Sequence, residues 1–538
     1  MHALNSHPPD SFDRTSPKYL RRWWTLAILS LSLVIIGLDN TILNVALPSL
    51  QREFDASSSQ LQWMVDSYVV VFAGLLLMLG ALGDRFGRAK ALQLGLGIFG
   101  GASLWAAYAG SADSLIAARA VMGIGGAFIM PATLSILIDV FPREERGRAI
   151  AIWSAVAGVG IGLGPITGGL LLEWFWWGSV FLVNVPIALI AIAAGWWLVP
   201  DSRDPEHVRL DIGGAILSVS AISLLVYSII EGPNHGWTDP LTLGLLGASL
   251  LLIVAFALWE FRTAHPMLDF SLFRNRRFSL GSTAIGFTFF ALFGVIFAFT
   301  QYLQFVHGYT PLEAGARLLP IALGIAIGAG RSHHLVSRMG TTRVVAAAML
   351  LVGIVLATFM WLGVDTAYWI VGTLVFFLAV GMGNVMAPST DAVMGAVPEA
   401  KAGVGSAMND VVRQVAGALG VAIIGSIMNT VYRNRMETET AGLPDPAADA
   451  ASDSVGAALQ VAQGVGGQAG AHLASVARHA YVDAMGIAAI VAATVVVIGA
   501  GIVLRWLPAQ DAELARETRA QDHARGEGVA TTPRQAAN

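Results

Sequence analysis

The sequence predicts an all-α polytopic membrane protein, and three observations carry that prediction. Hydrophobic residues make up 55% of the 538-residue chain and charged residues only 13%, with mean hydropathy +0.65, whereas a soluble domain carries about 25% charged residues. About fourteen apolar segments are long enough to cross a bilayer at roughly 1.5 Å per helical residue. The basic residues, finally, gather in every second connection between those segments. The net charge of −4 is close to neutral and points to no charged partner. The absence of cysteine excludes disulfides, Cys-ligated zinc and thiolate catalysis.

Residues 1–20 are polar and contain proline, and read as a disordered cytoplasmic tail. The apolar run after Arg21-Arg22 is too long for a signal peptide and lacks a clean small-residue cleavage site, so it stays as the first span. The spans fall near 24–47, 63–82, 91–109, 115–138, 149–172, 180–199, 212–230, 241–258, 278–302, 314–333, 344–362, 367–390, 404–428 and 481–504. Arg14, Lys18, Arg21 and Arg22 precede the first, Arg85, Arg88 and Lys90 follow the second, and Arg143, Arg146 and Arg148 follow the fourth. Arg203, Arg209, Arg262, Arg274, Arg276, Arg277, Arg338, Arg343 and Lys401 occupy the later connections on the same side. The opposite side holds only Arg52, Arg317, Arg433, Arg435 and Arg478. The excess of positive charge on one side puts both termini in the cytoplasm, and an even span count agrees. Residues 429–480, rich in Ala, Gly and Gln, read as a long extracytoplasmic loop holding at most a short amphipathic helix; residues 507–538 read as a second disordered tail.

Polar residues inside the apolar runs are where function is sought. Asp39 lies in the first span beside Asn40 and Asn44, with no cation on its own helix. An ionised Asp at mid-membrane costs roughly 2.5–3.5 kcal/mol on insertion scales, so it must face a partner or a watered cavity. A packed structural ion pair and a protonatable, cation-attracting site are the two readings, and the second is preferred. Arg119, mid-way along the fourth span, is too deep to snorkel and needs an acid. Asp66 lies near the outer end of the second span; Asp410 and Arg413, three apart in the thirteenth, share one helical face.

Gly80 to Lys90 forms a tight charged turn between the second and third spans. Gly83 and Gly87 permit reversal and close approach. Asp84 is placed to cap a neighbouring helix, and Arg85 and Arg88 to pair with acids, Asp139 first among them. In the fifth span, Gly160, Gly164, Gly168 and Gly169 allow backbone-to-backbone packing, and Pro165 allows a bend. His333 and His334 are adjacent and make a poor metal pair. No phosphate-binding glycine loop, zinc-protease motif or nucleophile elbow is present, and no basic aromatic patch suggests nucleic acid. The expectation is a protein that is not an enzyme, uses no cofactor or metal, and draws its energy from a gradient.

Several of these stretches carry a family resemblance. The turn Gly80-Ala81-Leu82-Gly83-Asp84-Arg85-Phe86-Gly87-Arg88-Ala89-Lys90 resembles the conserved loop of the major facilitator superfamily. Leu38-Asp39-Asn40-Thr41-Ile42-Leu43-Asn44-Val45-Ala46-Leu47-Pro48 resembles the first-span signature of its 14-span drug:proton antiporter branch. Arg119, within Leu115 to Gly126, matches the fourth-span arginine motif, with Met122 where Gln is usual. Gly158 to Gly169 matches the fifth-span antiporter motif, and Asn184-Val185-Pro186 continues the branch pattern, although Trp177-Gly178-Ser179 departs from it.

The resemblance runs from about residue 24 to residue 504. It implies the major facilitator fold: six-helix bundles over 21–200 and 276–506, related as parallel repeats, with two inserted spans within 201–275. Arg338 to Arg343 is then a degenerate echo of Arg85 to Lys90. The implied activity is proton-coupled export of lipophilic, often cationic small molecules by a monomer in the cytoplasmic membrane, working by alternating access; an exporter of an endogenous metabolite is the alternative. First and fourth spans line one cavity in this fold, which makes Asp39 the main proton or cation site and Arg119 its switchable partner. Asp66 and Asp410 become secondary cation attractors, and Asp84, Arg85, Arg88 and Asp139 the inner gate.

Overall fold

The computed structural model describes residues 17–202, 211–263, 266, 270–397, 402–440 and 443–507. Most of both expected tails, and the basic residues Arg14, Arg203, Arg209 and Lys401, lie outside these residues. Among the described residues the structure is helical, with no strand. The long helices are α1 (Arg22–Phe54), α2 (Ser58–Phe86), α3 (Arg88–Ala107), α4 (Ala112–Val140), α5 (Arg143–Trp174), α6 (Ser179–Leu198), α7 (Ile212–His235), α8 (Pro240–Arg262), α9 (Arg276–Val306), α10 (Pro311–Met339), α11 (Thr341–Trp361), α12 (Tyr368–Gly395), α13 (Ala402–Glu439) and α14 (Gly467–Trp506).

Capping chemistry sets where many of them start. Ser57 and Gln60 form a reciprocal capping box at the head of α2, and Thr310 and Glu313 form another at the head of α10. Ser111, Asp211, Asp239 and Asn275 accept from free N–H groups in the first turns of α4, α7, α8 and α9. One residue, Gly87 at φ 126°, separates α2 from α3, and one residue, Gly340 at φ 80°, separates α10 from α11. Side chains rarely adopt that region, so both reversals call for glycine.

Twelve of the described helices are long and apolar enough to cross a membrane, two fewer than the fourteen expected. The two outside that set are α3 and α5, at the expected third and fifth spans. α3 opens on Arg88 and Lys90 and is rich in glycine, which dilutes its apolarity, whereas α5 is uncharged and apolar in sequence from Ala149 to Ile166 and holds side chains outside the described ones.

The segment 429–480 corrects the expectation of a loop. There α13 runs on to Glu439 and α14 begins at Gly467, and two cap helices, Asp445–Asp453 and Val455–Val465, lie between them. Tyr432 Oη donates to Ala451 O at 3.1 Å, and the hydroxyls of Thr440 and Ser452 lie 3.2 Å apart. The helices there are too short to read as spans, and the small side chains of Ala451, Gly456, Ala458 and Ala462 are buried where they pack.

Helix pairing repeats. In the first half α1 packs on α5, α2 on α4, and α3 on both α4 and α6; in the second, α9 packs on α13, α10 on α12, and α11 on both α12 and α14. α7 lies against both α2 and α13 and covers their seam, while α8 packs on α7 and is largely exposed. The halves meet at the end away from the basic turns. Gln304 Nε2 of α9 donates to Val45 O of α1 at 2.9 Å, and Gln62 of α2 abuts Gly425 of α13. Gly315 of α10 rests on Pro165 of α5, and Gly169 of α5 rests on Leu312.

α5 therefore has two crowded faces. Gly160, Gly164 and Gly168, four residues apart, lie against Val34, Thr41 and Ile42 of α1, and Pro165 and Gly169 meet the other half. A methyl group at Gly164 collides with Thr41 Oγ1 and the Leu38 carbonyl, whereas one at Gly97 of α3 meets nothing within 4 Å. Overpacking costs about 1–3 kcal/mol, and an exposed helical Gly→Ala change gains about 1 kcal/mol. Gly164→Ala should lower the thermal unfolding midpoint of the purified protein and Gly97→Ala should leave it equal or higher, as read by melting in detergent.

Candidate functional site: a buried ion pair in the first half

The site is built where α1, α2, α3, α4 and α6 converge. Gly123 of α4 lies against the Tyr68 carbonyl of α2, and Gly125 against the backbone of Phe99 in α3; a Cβ would come within 2.6 Å and 2.7 Å of them. This close approach draws α2 and α3 around Arg119. Arg119 Nη1 pairs with Asp39 Oδ2, and the two residues are only 1% and 0% exposed. Arg119 Nε donates to Met64 O at 3.0 Å, and its guanidinium lies 4.5 Å over the Tyr68 ring. The other oxygen of Asp39 accepts from Asn184 Nδ2 at 3.4 Å, and Asn184 also reaches Ser103 Oγ at 3.5 Å. Two opposite charges out of water attract strongly, but each has lost its hydration, so the extra hydrogen bonds and the ring face are needed to hold the pair.

Position 122 tells the same story from the other side. Met122 Sδ lies 3.9 Å from Arg119 Nη1, a weak acceptor in place of an amide oxygen. Arg119 therefore leans on Asp39, the Met64 carbonyl and Tyr68. The sequence marks Asn184 only through the family pattern Asn184-Val185-Pro186, without a role, and nothing in it marks Ser103 or the Met64 carbonyl.

Asp66 is not part of this cluster. It is fully buried, and neither carboxylate oxygen has a hydrogen-bond partner among the described residues. It stands four residues, one helical turn, from Gln62, the residue that abuts Gly425 of α13. Asp66 thus points to the seam between the halves, one turn in from their contact. An uncompensated buried carboxylate is costly, and a proton or a cation would relieve that cost.

Asp410 and Arg413 of α13 form a local pair at 3.5 Å, and Arg413 Nη2 also donates to Thr390 Oγ1 of α12 at 2.9 Å. This pair lies in the second half, apart from the Asp39–Arg119 cluster. Of the aromatic residues of α9, Phe278, Phe290, Phe297, Phe299, Tyr302 and Phe305 are buried, and Phe289 lies under Arg413 at 5.5 Å.

The charged turn differs from its expectation. Asp84 pairs with Arg88 Nε at 2.6 Å on the adjoining helix start, so the acid that Arg88 takes is Asp84 itself. No side chain caps α3, and Arg85 lies 5.2 Å from the ring of Phe86. Gly83 packs on Ala91, and Gly87 on Asp201; the Arg88 N–H donates to Ser202 O at 2.9 Å. The turn is thereby fastened to the connection after α6, in its own half. Asp139 lies at the inner end of α4 and is engaged in an interaction of its own. The physical reason for the difference is the reversal at Gly87, which sets the end of α2 beside the first residue of α3 and so brings Asp84 within reach of Arg88.

Residues 29–421 match the family model described as Major Facilitator Superfamily. The methyl viologen resistance protein SmvA of Salmonella typhimurium is 36% identical over 466 residues, covering 86% of this chain and 93% of its own. The tetracenomycin C resistance and export protein of Streptomyces glaucescens is 32% identical over 526 residues, covering 95% and 96%. Among solved structures, a bacterial homolog of the human lysosomal transporter Spinster, in an inward-facing and unoccupied conformation, aligns with TM-score 0.64 at 17% identity, over 90% of this chain and 98% of that one. That likeness extends the helical pairing described above to a known fold, and with the family model and near full-length relatives beside it, the chain belongs to the major facilitator superfamily.

Proposed function

We propose that this protein exports lipophilic, often cationic compounds across the cytoplasmic membrane in exchange for protons, by alternating access. The observation that carries the reading is the Asp39–Arg119 pair, sealed among α1, α2, α4 and α6, with hydrogen-bonded and glycine-mediated contacts between the halves toward the end away from the basic turns. Relatives named for methyl viologen resistance and for tetracenomycin C resistance and export support the substrate class; methyl viologen is itself an organic dication. In this reading the contact between halves is extracytoplasmic and the molecule is inward-facing. α3 and α5 complete a set of fourteen spans, with six-helix bundles over 21–200 and 276–506 and both termini cytoplasmic.

Protonating Asp39 removes its charge and leaves Arg119 to the Met64 carbonyl and Tyr68, so the pair is a two-state element that a proton or a cation biases. Asp66, at the seam with two unsatisfied oxygens, receives the cation or proton from the inner side, and Asp410 with Arg413 does so in the second half. The Gly83–Arg88 turn, with Asp84, Arg85 and Asp139, closes the inner side when the halves approach there. Exchange of one proton for one monovalent cation moves no net charge. Exchange for a neutral compound also feels the membrane potential, at about 2.3 kcal/mol per charge per 100 mV. Export of a compound made by the same cell is a second reading, favoured by the tetracenomycin relative, which the name links to both resistance and export.

Reporter fusions in 84–90 and 201–202 should read cytoplasmic, and fusions in 445–465 extracytoplasmic; a cytoplasmic signal from the cap helices would remove the fourteen-span arrangement. Asp39→Asn should abolish accumulation driven by a pH gradient in inside-out vesicles while sparing counterflow of a neutral compound. Accumulation at the wild-type level would take Asp39 off the proton path. Asp66→Asn should reduce ethidium export by tenfold or more and a neutral antibiotic by less than twofold; equal losses would make Asp66 structural.

A further inference from the structure

The segment between α13 and α14 does more than cover the molecule. Its first cap helix is fixed to α13 by the Tyr432 and Thr440 contacts described above, so it moves with the second half. From there Asp453 crosses to the head of α2. Its carboxylate accepts the Ser58 N–H at 3.1 Å, and its main-chain carbonyl accepts Ser58 Oγ at 2.7 Å. The capping box of Ser57 and Gln60 satisfies other groups at this helix start, and the Ser58 N–H is one of the free donors that remain. A carboxylate is the favoured partner at such an end.

The tie has a second strand. Arg433 of α13 pairs with the other oxygen of Asp453 at 3.3 Å and donates from the same nitrogen to Asn234 Oδ1 of α7 at 3.2 Å. Asn234 Nδ2 in turn donates to Ser59 Oγ of α2 at 2.7 Å and to Glu231 at 2.9 Å. A few residues on, Gly456 of the second cap helix lies against Gln51 of α1 and Phe305 of α9. The cap is thus anchored on one half and hydrogen-bonded to the other, at the end where the halves meet. A cleft of about 760 Å³ opens beside it, bordered by Asp55, Ser57, Arg433, Asp449 and Asp453, and gives water-soluble reagents access.

We propose that Asp453 is a positioning residue for transport: with Ser58 it fastens the outer gate in the inward-facing state, and the fastening must part each time the outer side opens. This rests on the alternating-access reading above. The glycine contacts and the buried Gln304–Val45 bond are shut in by packing, whereas this one is a small set of directional bonds beside a cleft, which water replaces readily once it enters.

The chain has no cysteine, so introduced thiols are unique reporters. In the first experiment the full-length double variant Ser58→Cys/Asp453→Cys, in proteoliposomes, is bridged by a short bis-methanethiosulfonate, with bridging verified by mass. Ethidium export should fall at least tenfold on bridging and return on reduction, with the unmodified chain unaffected by either treatment. Bridged protein exporting at the reduced rate would overturn the proposal. In the second, Ala422→Cys, buried in α13 against the first half, is labelled from outside whole cells by a membrane-impermeant maleimide. Adding Asp453→Ala should raise the labelling rate several-fold; an unchanged rate would overturn the latch. Labelling needs no transported compound, so failure of the latch and failure of the export reading are told apart: an unmodified chain that does not move ethidium speaks only against the latter.

Discussion

Everything in the first half is arranged around one awkward fact, a carboxylate and a guanidinium facing each other where water does not reach. Removing one member of such a pair leaves the other uncompensated, at a cost of about 3–5 kcal/mol. The surrounding helices answer that demand in kind. α4 gives up side chains at Gly123 and Gly125 so that α2 and α3 come near; α2 supplies a carbonyl and a ring; α6 supplies Asn184 for the second carboxylate oxygen. None of these contributions is large, and each exists only because the others bring the helices together.

The second constraint is that the halves must separate at one end without falling apart. Their contacts include glycine-to-backbone approaches between α5 and α10, a polar contact of Gln304 with Val45, and the α2–α13 seam under α7. Close backbone contacts of this kind have two arrangements and little in between, because a packed surface does not deform continuously. Asp66 lies one turn from the seam residue Gln62, without a hydrogen-bond partner among the described residues, whereas both oxygens of Asp39 are engaged. The two acids are therefore differently exposed to a change at the seam.

Much of this was legible in the residues, and the reasons for the exceptions are physical. The long apolar runs and the alternation of arginine gave the helices in their order, because hydration of charge and burial of hydrocarbon are strong signals. The demand of Arg119 for an acid followed from depth alone. The partners Ser103, Asn184 and the Met64 carbonyl were not legible: a neutral polar group has no distinguishing spacing, and a main-chain carbonyl has no letter in a sequence. The charged turn misled for a related reason, since the sequence marked a tight reversal at Gly87 but not that the reversal would set Asp84 beside Arg88. The cap helices were legible only as a short amphipathic stretch, because at nine and eleven residues neither is long enough to read as a span.

The two single-glycine reversals, at Gly87 and Gly340, differ in an instructive way. Both link the second and third helices of a half, and both keep left-handed backbone. At Gly87 a side chain would strike Asp201, whereas at Gly340 nothing stands within 4 Å. One turn has both the bend and the crowd around it, the other only the bend. A substitution at Gly340 therefore meets only the backbone's objection, whereas one at Gly87 meets that and a neighbouring carboxylate as well.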